Sequence, residues 1–417
     1  MKRSLFIRII LLFFMIFAFL PSLAWPQITV GQYEDEAPLR TWNTFGFSTA
    51  PFLAMGETRF TMASDCSASL SNPALLTGLP QFTLTLNSSL DTASLFKYSI
   101  VNTGVLYTDG NSSLGLLAFD FTGISLSIKD WAFALSIALV ENYVRPSVDL
   151  SSYTSAGNVV RTFVFEQDGH LKNINFSVAR KVFGRLSAGI GLNYAYGFLE
   201  KEYEDDWVIS NFTISDRKYH KFESFYINGG LVLDLTQKIK VAAVFRTPFL
   251  KKADSESLYR YYSPSTETEI RTEASEPSEY KQPLVAGLGI SCTFSPKLRA
   301  ASDLTFYNWS RYSIVYFGET GEQERDFKDI IKVGAGLEYL SSLNIFGRQA
   351  VVPFRAGVSY DPQPMKEPDS AYLYFSLGTG VHWKKISLDM GMLIGGESGS
   401  GNSLRAKKVT LSLSFKT

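Results

Sequence analysis

The chain has 417 residues, and its 40 Lys+Arg are balanced by 40 Asp+Glu, so it has no net field with which to grip nucleic acid. Aromatic residues reach 14%, charged residues only 19%, and glycines number 31, which suits many strands beside lipid and excludes a disordered chain or a coiled coil. Three histidines and two cysteines stand apart without ligand spacing, so no metal, cofactor or disulfide scaffold is expected, and Cys66 and Cys292 read as two free buried thiols, with a single long-range bridge as the alternative.

In chain order, residues 1–24 read as a cleavable export signal. Lys2, Arg3 and Arg8 precede the apolar run Ile9 to Leu20; Pro21 breaks it, and Ser22-Leu23-Ala24 supplies small residues before Trp25. Removing that end leaves 37 basic against 40 acidic residues. No later apolar run approaches the roughly 18 residues that a spanning helix needs, so any membrane crossing must be made by strands. The expected destination is the bacterial outer membrane.

Residues 25–94 do not alternate cleanly. They hold Phe45, Phe47, Phe52 and Met55-Gly56, then a small-residue stretch from Thr61 to Ser71, then Asn72-Pro73-Ala74-Leu75-Leu76-Thr77. About 70 residues exceed what a tether requires, so this segment is read as a hatch or plug. Pro73 disfavours helix at Asn72, marking either an ordinary turn or a hatch element against the wall. Phe45, Phe47, Phe52, Leu75 and Leu76 either line an apolar ligand path or glue plug to wall.

From residue 95 onward, alternation of period two dominates. Leu186, Ala188, Ile190, Leu192, Tyr194, Tyr196 and Phe198 share one face, and Ser187, Gly189, Gly191, Asn193 and Gly197 the other. The segments 281–294, 370–383 and 403–416 repeat the pattern. These strands are long and their opposite face is rich in Gly, Ser, Asn and Thr, as a lumen would be. Short turns such as Lys129-Asp130 and Lys384-Lys385 alternate with long polar connections such as 200–219, 250–280 and 313–325. The fold class is therefore all-β: a transmembrane antiparallel barrel of about 14 strands, the first at 95–107, with an N-terminal hatch. Residues 158–181 read as one long strand interrupted near Asp168-Gly169, and Gly123 as the site of a bulge. Tyr194, Tyr196, Tyr307, Trp309, Tyr339, Tyr360 and Trp383 are expected to form interfacial girdles.

Arg185, Arg299, Asp303, Lys332, Glu338, Arg355 and Asp389 fall on the lumen face, where they should pair across the lumen and stiffen the wall. His382 near Ser376 or Ser387 is the only crude base–nucleophile candidate. A polar lumen histidine is the simpler reading, and no enzyme is expected.

Met55-Gly56, then Ala63-Ser64-Asp65 with Ala68, then Asn72 to Thr77 resemble the hatch segment of the FadL/TodX family of outer-membrane transporters for hydrophobic compounds. The resemblance implies a fourteen-strand barrel with an N-terminal hatch. Its ligand would enter from outside and leave sideways into the membrane lipid. It also implies a barrel acting as a monomer, with long-chain fatty acids or other hydrophobic small molecules as ligands. Glu57-Thr58-Arg59 departs from the family's small, Gly-rich run, Cys66 stands where an acidic or small residue is common, and Thr417 replaces a terminal aromatic. Barrels of the type IX secretion machinery share the Asn-Pro-Ala segment. Docking of secreted proteins or of a secretion machine is therefore the alternative to passive hydrophobic uptake, with a general porin behind both.

Overall fold

A computed structural model describes residues 45–417, except 63, 95–106, 112–115, 155, 318–322, 325, 346–347, 368 and 400–404. The expected signal at 1–24 and the expected first strand at 95–107, but for Tyr107, lie outside the described residues.

Fourteen wall strands form a closed antiparallel barrel. They begin with β1 (Phe82–Ser94), and four short strands outside the wall keep their places in the chain numbering: β2 (Tyr107–Asn111), β5 (Arg145–Tyr153), β14 (Ser313–Val315) and β15 (Gln323–Glu324). The wall continues through β3 (Leu116–Ile128), β4 (Trp131–Asn142), β6 (Val159–Phe183), β7 (Leu186–Trp207) and β8 (Phe212–Asp234). The next two wall strands are each broken by a proline, which cannot donate to the ladder. β9 (Ile239–Arg246) and β10 (Phe249–Ser263) flank Thr247-Pro248, and β11 (Thr268–Gln282) and β12 (Val285–Ser295) flank Pro283-Leu284. β13 (Leu298–Tyr307), β16 (Ile330–Ile345), β17 (Arg348–Pro362), β18 (Ala371–Trp383), β19 (Ile386–Ser398) and β20 (Arg405–Lys416) complete it.

β20 pairs with β1 from Thr83↔Lys416 to Ser94↔Arg405, and this closes the barrel. The first wall strand is thus β1, and the expected hatch boundary at residue 94 moves back to 81. The cause is visible locally: Thr83, Thr85, Asn87 and Ser89 are buried on the lumen side while Leu84, Leu86 and Leu90 turn outward. That face is polar enough to read as hatch when the partner strand is unknown.

The exposed apolar residues lie on the outward face, as a lipid-facing belt requires. Ile190, Leu192, Leu288, Ile290, Phe375, Leu377, Leu411 and Leu413 are all exposed. Tyr339, Tyr360 and Trp383 are also exposed, but Tyr307 and Trp309 are buried inside, which corrects their assignment to a girdle. They lie inside because the chain turns inward after β13. Trp309, Tyr312, Ile314 and Phe327 pack in the mouth, β14 adds to β11, and Phe327 bridges Met365.

The connections expected at 200–219 and 250–280 are mostly strand. β6, β7 and β8 run 25, 22 and 23 residues, and β10 pairs with β11 up to Ser263↔Thr268. A strand of 25 residues at ~3.3 Å per residue, tilted by about 45°, climbs roughly 58 Å, about twice the hydrocarbon thickness. The upper parts of β10 and β11 stand in water with Ser, Thr, Glu and Arg on both faces, so no apolar alternation marks them. The wall bulge lies at Asp120, not at Gly123: Asn87 pairs with Phe121 and Ser88 with Phe119, so Asp120 is extra. Its carboxylate turns inward to accept hydrogen bonds from Asn87 Nδ2 (2.7 Å) and Ser89 Oγ (2.5 Å).

Candidate functional site: the hatch and its docking wall

Residues 45–81 fill the lumen as two short helices, α1 (Ala50–Leu53) and α2 (Ala68–Ser71), and a 3₁₀ turn at Pro73–Gly78. Such short pieces have too few internal hydrogen bonds to stand alone. Their free backbone groups are met by the wall's polar face. Ala50 N–H donates to Ser412 Oγ (2.8 Å), Gly56 N–H to Ser376 Oγ (2.9 Å), and Cys66 N–H to Thr85 Oγ1 (3.2 Å). Asn228 Nδ2 donates to Ser69 O (2.9 Å), and the Ser69 and Ser136 hydroxyls share a bond of 2.9 Å. The Ser, Asn and Thr of the lumen face are therefore receptors for the hatch backbone.

Glycines on the same face let backbone meet backbone. Gly56 has φ +67°, and a Cβ there would lie 2.5 Å from Ala335 O and Val358 O. Across the contact, a Cβ on Gly357 would fall 2.1 Å from Gly56 N, and one on Gly336 2.3 Å from Met55 O. The Met55-Gly56 pair thus sits in a slot that only glycine walls leave open.

Asn72 is fully buried and builds the turn that its motif suggests. Its Oδ1 accepts Ala74 N–H (3.2 Å) and its Nδ2 donates to Phe60 O (2.7 Å). Pro73 follows at the first position of the 3₁₀ turn, where a missing N–H costs nothing. Pro73 and Ala74 lie against Gly189, where a Cβ would come within 2.5 Å of Ala74 N.

The apolar candidates do not form one channel. Phe45, Leu75 and Leu76 join one core cluster with Ala74. Phe47 belongs to another with Cys66 and Leu70, and stacks on Phe121 at 5.0 Å. Phe52 is buried within α1. Of the ten candidates only Phe45 lines a small cavity of about 30 Å³ beside the hatch, with Leu70, Leu171, Phe249, Glu141, Tyr226 and Arg246. Its N–H donates to Tyr307 OH (2.6 Å), linking hatch to mouth.

Several residues that the sequence marked only as motif members, departures or lumen charges matter here. Glu57, at φ 64°, places its carboxylate 2.9 Å from Lys332 Nζ, which also meets Asp361 at 3.0 Å. Arg59 donates to Ser48 Oγ (2.6 Å), to Glu57 O (3.1 Å) and to Phe45 O. The departure Glu57-Thr58-Arg59 is thus a clamp. Asp65 gathers Thr49 Oγ1 (2.6 Å), Ser67 N–H (2.9 Å) and Ser67 Oγ (2.6 Å) and so ties α1 to α2. Cys66 is a free thiol in this core, and burial pushes it up to about 11.

The lumen charges pair as the sequence suggests, except Arg185, which lies in a turn, and Asp303, whose carboxylate takes hatch backbone N–H groups instead. Arg355 joins Glu338 (2.7 Å) and Asp389 (2.7 Å), Arg299 adds to Glu338, and His382 Nε2 meets Asp389 at 2.9 Å. Asp303 Oδ2 accepts the N–H groups of Arg59 (2.6 Å) and Phe60 (3.0 Å). Ser376 is engaged by Gly56, and His382 faces a carboxylate, so the two do not form a nucleophile–base pair.

The barrel resembles several solved structures. The Ralstonia pickettii toluene transporter TbuX matches at TM-score 0.60 and 15% identity, over 89% of this chain and 98% of that one. A Pseudomonas aeruginosa FadL homologue matches at 0.63 and 14%, over 89% and 99%. The P. putida toluene transporter TodX matches at 0.60 and 12%, again over 89% and 99%. At these identities the likeness is one of fold. No curated protein matches the chain. The BamG family model matches residues 47–389, from the hatch to β19, and the chain belongs to the BamG family.

Proposed function

We propose that this barrel admits small hydrophobic molecules through the outer membrane and that residues 45–81 act as its hatch. The observation that carries the reading is a lumen closed by a segment that is held by side-chain hydrogen bonds and ion pairs, not by ladder pairing with the wall. Such contacts can break without opening the barrel, whose ladder is continuous around the wall. The similar structures include toluene and monoaromatic hydrocarbon channels, which supports an apolar cargo. The small cavity of about 30 Å³ holds roughly one water, whereas an apolar cavity of about 150 Å³ is the scale that takes benzene. On this reading uptake requires the hatch to yield, and the proposed cargo includes long-chain fatty acids.

The test is a reversible lock. Ser69→Cys with Ser136→Cys, in a Cys66→Ser/Cys292→Ser background, places two thiols where the hydroxyls now stand 2.9 Å apart. Oxidation should abolish uptake of a hydrophobic probe into cells, and a reductant should restore it. Equal uptake by the oxidised and reduced barrel would show that the hatch does not gate.

A further inference from the structure

We infer that the rim of short turns at one end of the barrel is a binding surface for anionic phospholipid headgroups of the phosphatidylglycerol kind. The inference stands apart from the uptake reading.

A net charge of zero hides where the charges lie. Lys129 sits in the β3–β4 turn, Arg180 near the end of β6 and Arg185 in the turn that follows it. Lys297 sits in the β12–β13 turn, and Lys384-Lys385 form the β18–β19 turn. All six are exposed, and none forms an ion pair among the described residues. The acids at this end are Asp130 and Asp234, and Lys240 holds Asp234 at 3.2 Å.

The other end differs. On the outward face of the long strands Lys221 stands opposite Asp254 and Lys252 opposite Glu223, so cations there are matched across the ladder. Higher still, Asp168 faces Glu200 and Glu166 faces Glu202, and the sign turns negative. Unmatched positive charge is gathered at the short turns.

These turns do not rise into water as the upper strands do. Exposed apolar side chains run into each of them. Ile128 and Trp131 flank Lys129, Phe183 (73% exposed) precedes Arg185, Leu298 follows Lys297, and Trp383 and Ile386 enclose the lysine pair. Each cation is within two residues of an exposed apolar side chain, roughly 7 Å along a strand at ~3.3 Å per residue. The headgroup layer is about 5–8 Å deep on each side of a ~30 Å hydrocarbon core. The charges therefore end among lipid phosphates, and Lys and Arg stems lie along apolar surface to put them there. Arg180 shows the arrangement, with its guanidinium 4.9 Å from the ring centroid of Trp131.

Short turns face the periplasm in outer-membrane barrels, and the leaflet on that side is glycerophospholipid. An acidic protein would also meet the charges. The apolar side chains in the same turns continue the lipid-facing belt, however, and need acyl chains beside them.

The test is native mass spectrometry of the full-length barrel in an uncharged detergent. It is titrated with dioleoylphosphatidylglycerol and with dioleoylphosphatidylcholine, whose acyl chains are identical. One cation at an anionic headgroup is worth about fivefold, so the wild type should hold the anionic lipid at least about fivefold more strongly. Raising ammonium acetate from about 0.1 to about 1 M shortens the screening length from ~10 to ~3 Å and should remove the preference, a readout that needs no variant. Arg180→Gln/Arg185→Gln/Lys384→Gln/Lys385→Gln should lose most of it. Lys221→Gln/Lys252→Gln, at the other end, should keep it. Equal binding of the two lipids by the wild type, or a preference lost in the Lys221/Lys252 variant and kept in the rim variant, overturns the inference. An acidic protein that leaves with the rim variant while the two lipids stay level overturns it in favour of a protein partner.

Discussion

The slot that receives Met55-Gly56 gives the sharpest test of how the hatch is held. Gly357→Ala adds a single methyl on the lumen face of β17. An ideal Cβ there lies 2.1 Å from Gly56 N and 2.3 Å from Met55 C, against about 3.4 Å for an ordinary contact. The neighbour is backbone, so the turn must retreat by about 1.3 Å or more. That retreat breaks the Gly56 N–H to Ser376 bond of 2.9 Å and draws Glu57 from Lys332, now 2.9 Å away. A neutral hydrogen bond contributes about 1 kcal/mol and one to a charged group about 2, so docking of this turn weakens by about 3 kcal/mol. Lys332 keeps Asp361, which limits the loss. Three kcal/mol is about a hundredfold in an opening equilibrium. Hydrogen exchange in the variant should therefore be about a hundredfold faster for amides of residues 50–58. Amides of the 3₁₀ turn at 73–78 should be unaffected, because they rest on β6, β7 and β8 instead. The barrel should still show heat-modifiable migration. Unchanged exchange at 50–58 in an intact barrel would refute the slot as a docking determinant.

Two further outcomes follow from buried groups. Cys66 should alkylate very slowly at pH 8, because with the thiol pushed up to about 11 only ~1 in 1,000 is ionised. In a Cys292→Ser background its rate should climb about tenfold per pH unit toward 11, and Phe47→Ala, which uncovers it, should speed it at fixed pH. A flat pH profile would contradict the buried-thiol reading. Arg355→Met leaves Glu338 and Asp389 short of a shared cation and should cost about 3–5 kcal/mol, seen as a lower urea midpoint for barrel unfolding, with unchanged stability as the contrary result.

The two-faced wall was legible in the amino-acid sequence. A strand beside lipid must show apolar residues at every second position, so Leu186 to Phe198 or Val409 to Phe415 reveal both the strand and the side that faces out. The lumen charges were legible for the same reason, since Arg299, Glu338, Arg355 and Asp389 interrupt the polar phase and find their counter-charges within it. The single strand over 158–181 was legible too, but the interruption expected near Asp168-Gly169 is not there, since β6 runs unbroken from Val159 to Phe183. Where the chain leaves the membrane this signal vanishes. The upper halves of β10 and β11 are wet on both faces and read as loop, although their ladder is continuous from Phe249↔Gln282 to Ser263↔Thr268. β1 hid for a related reason, since its inner face serves the hatch and its partner is β20, at the other end of the chain.

The seat of the hatch depends on contacts between distant parts of the chain. Phe45 to Tyr307, Ala50 to Ser412 and Gly56 to Ser376 are joined across 262, 362 and 320 residues, and no local rule anticipates such pairs. The same holds for Trp309, whose aromatic character suits an interface or a core equally well. The inward turn after β13 buries it. Local alternation is set by the solvent on each face, whereas partner choice is set by closure of the whole sheet.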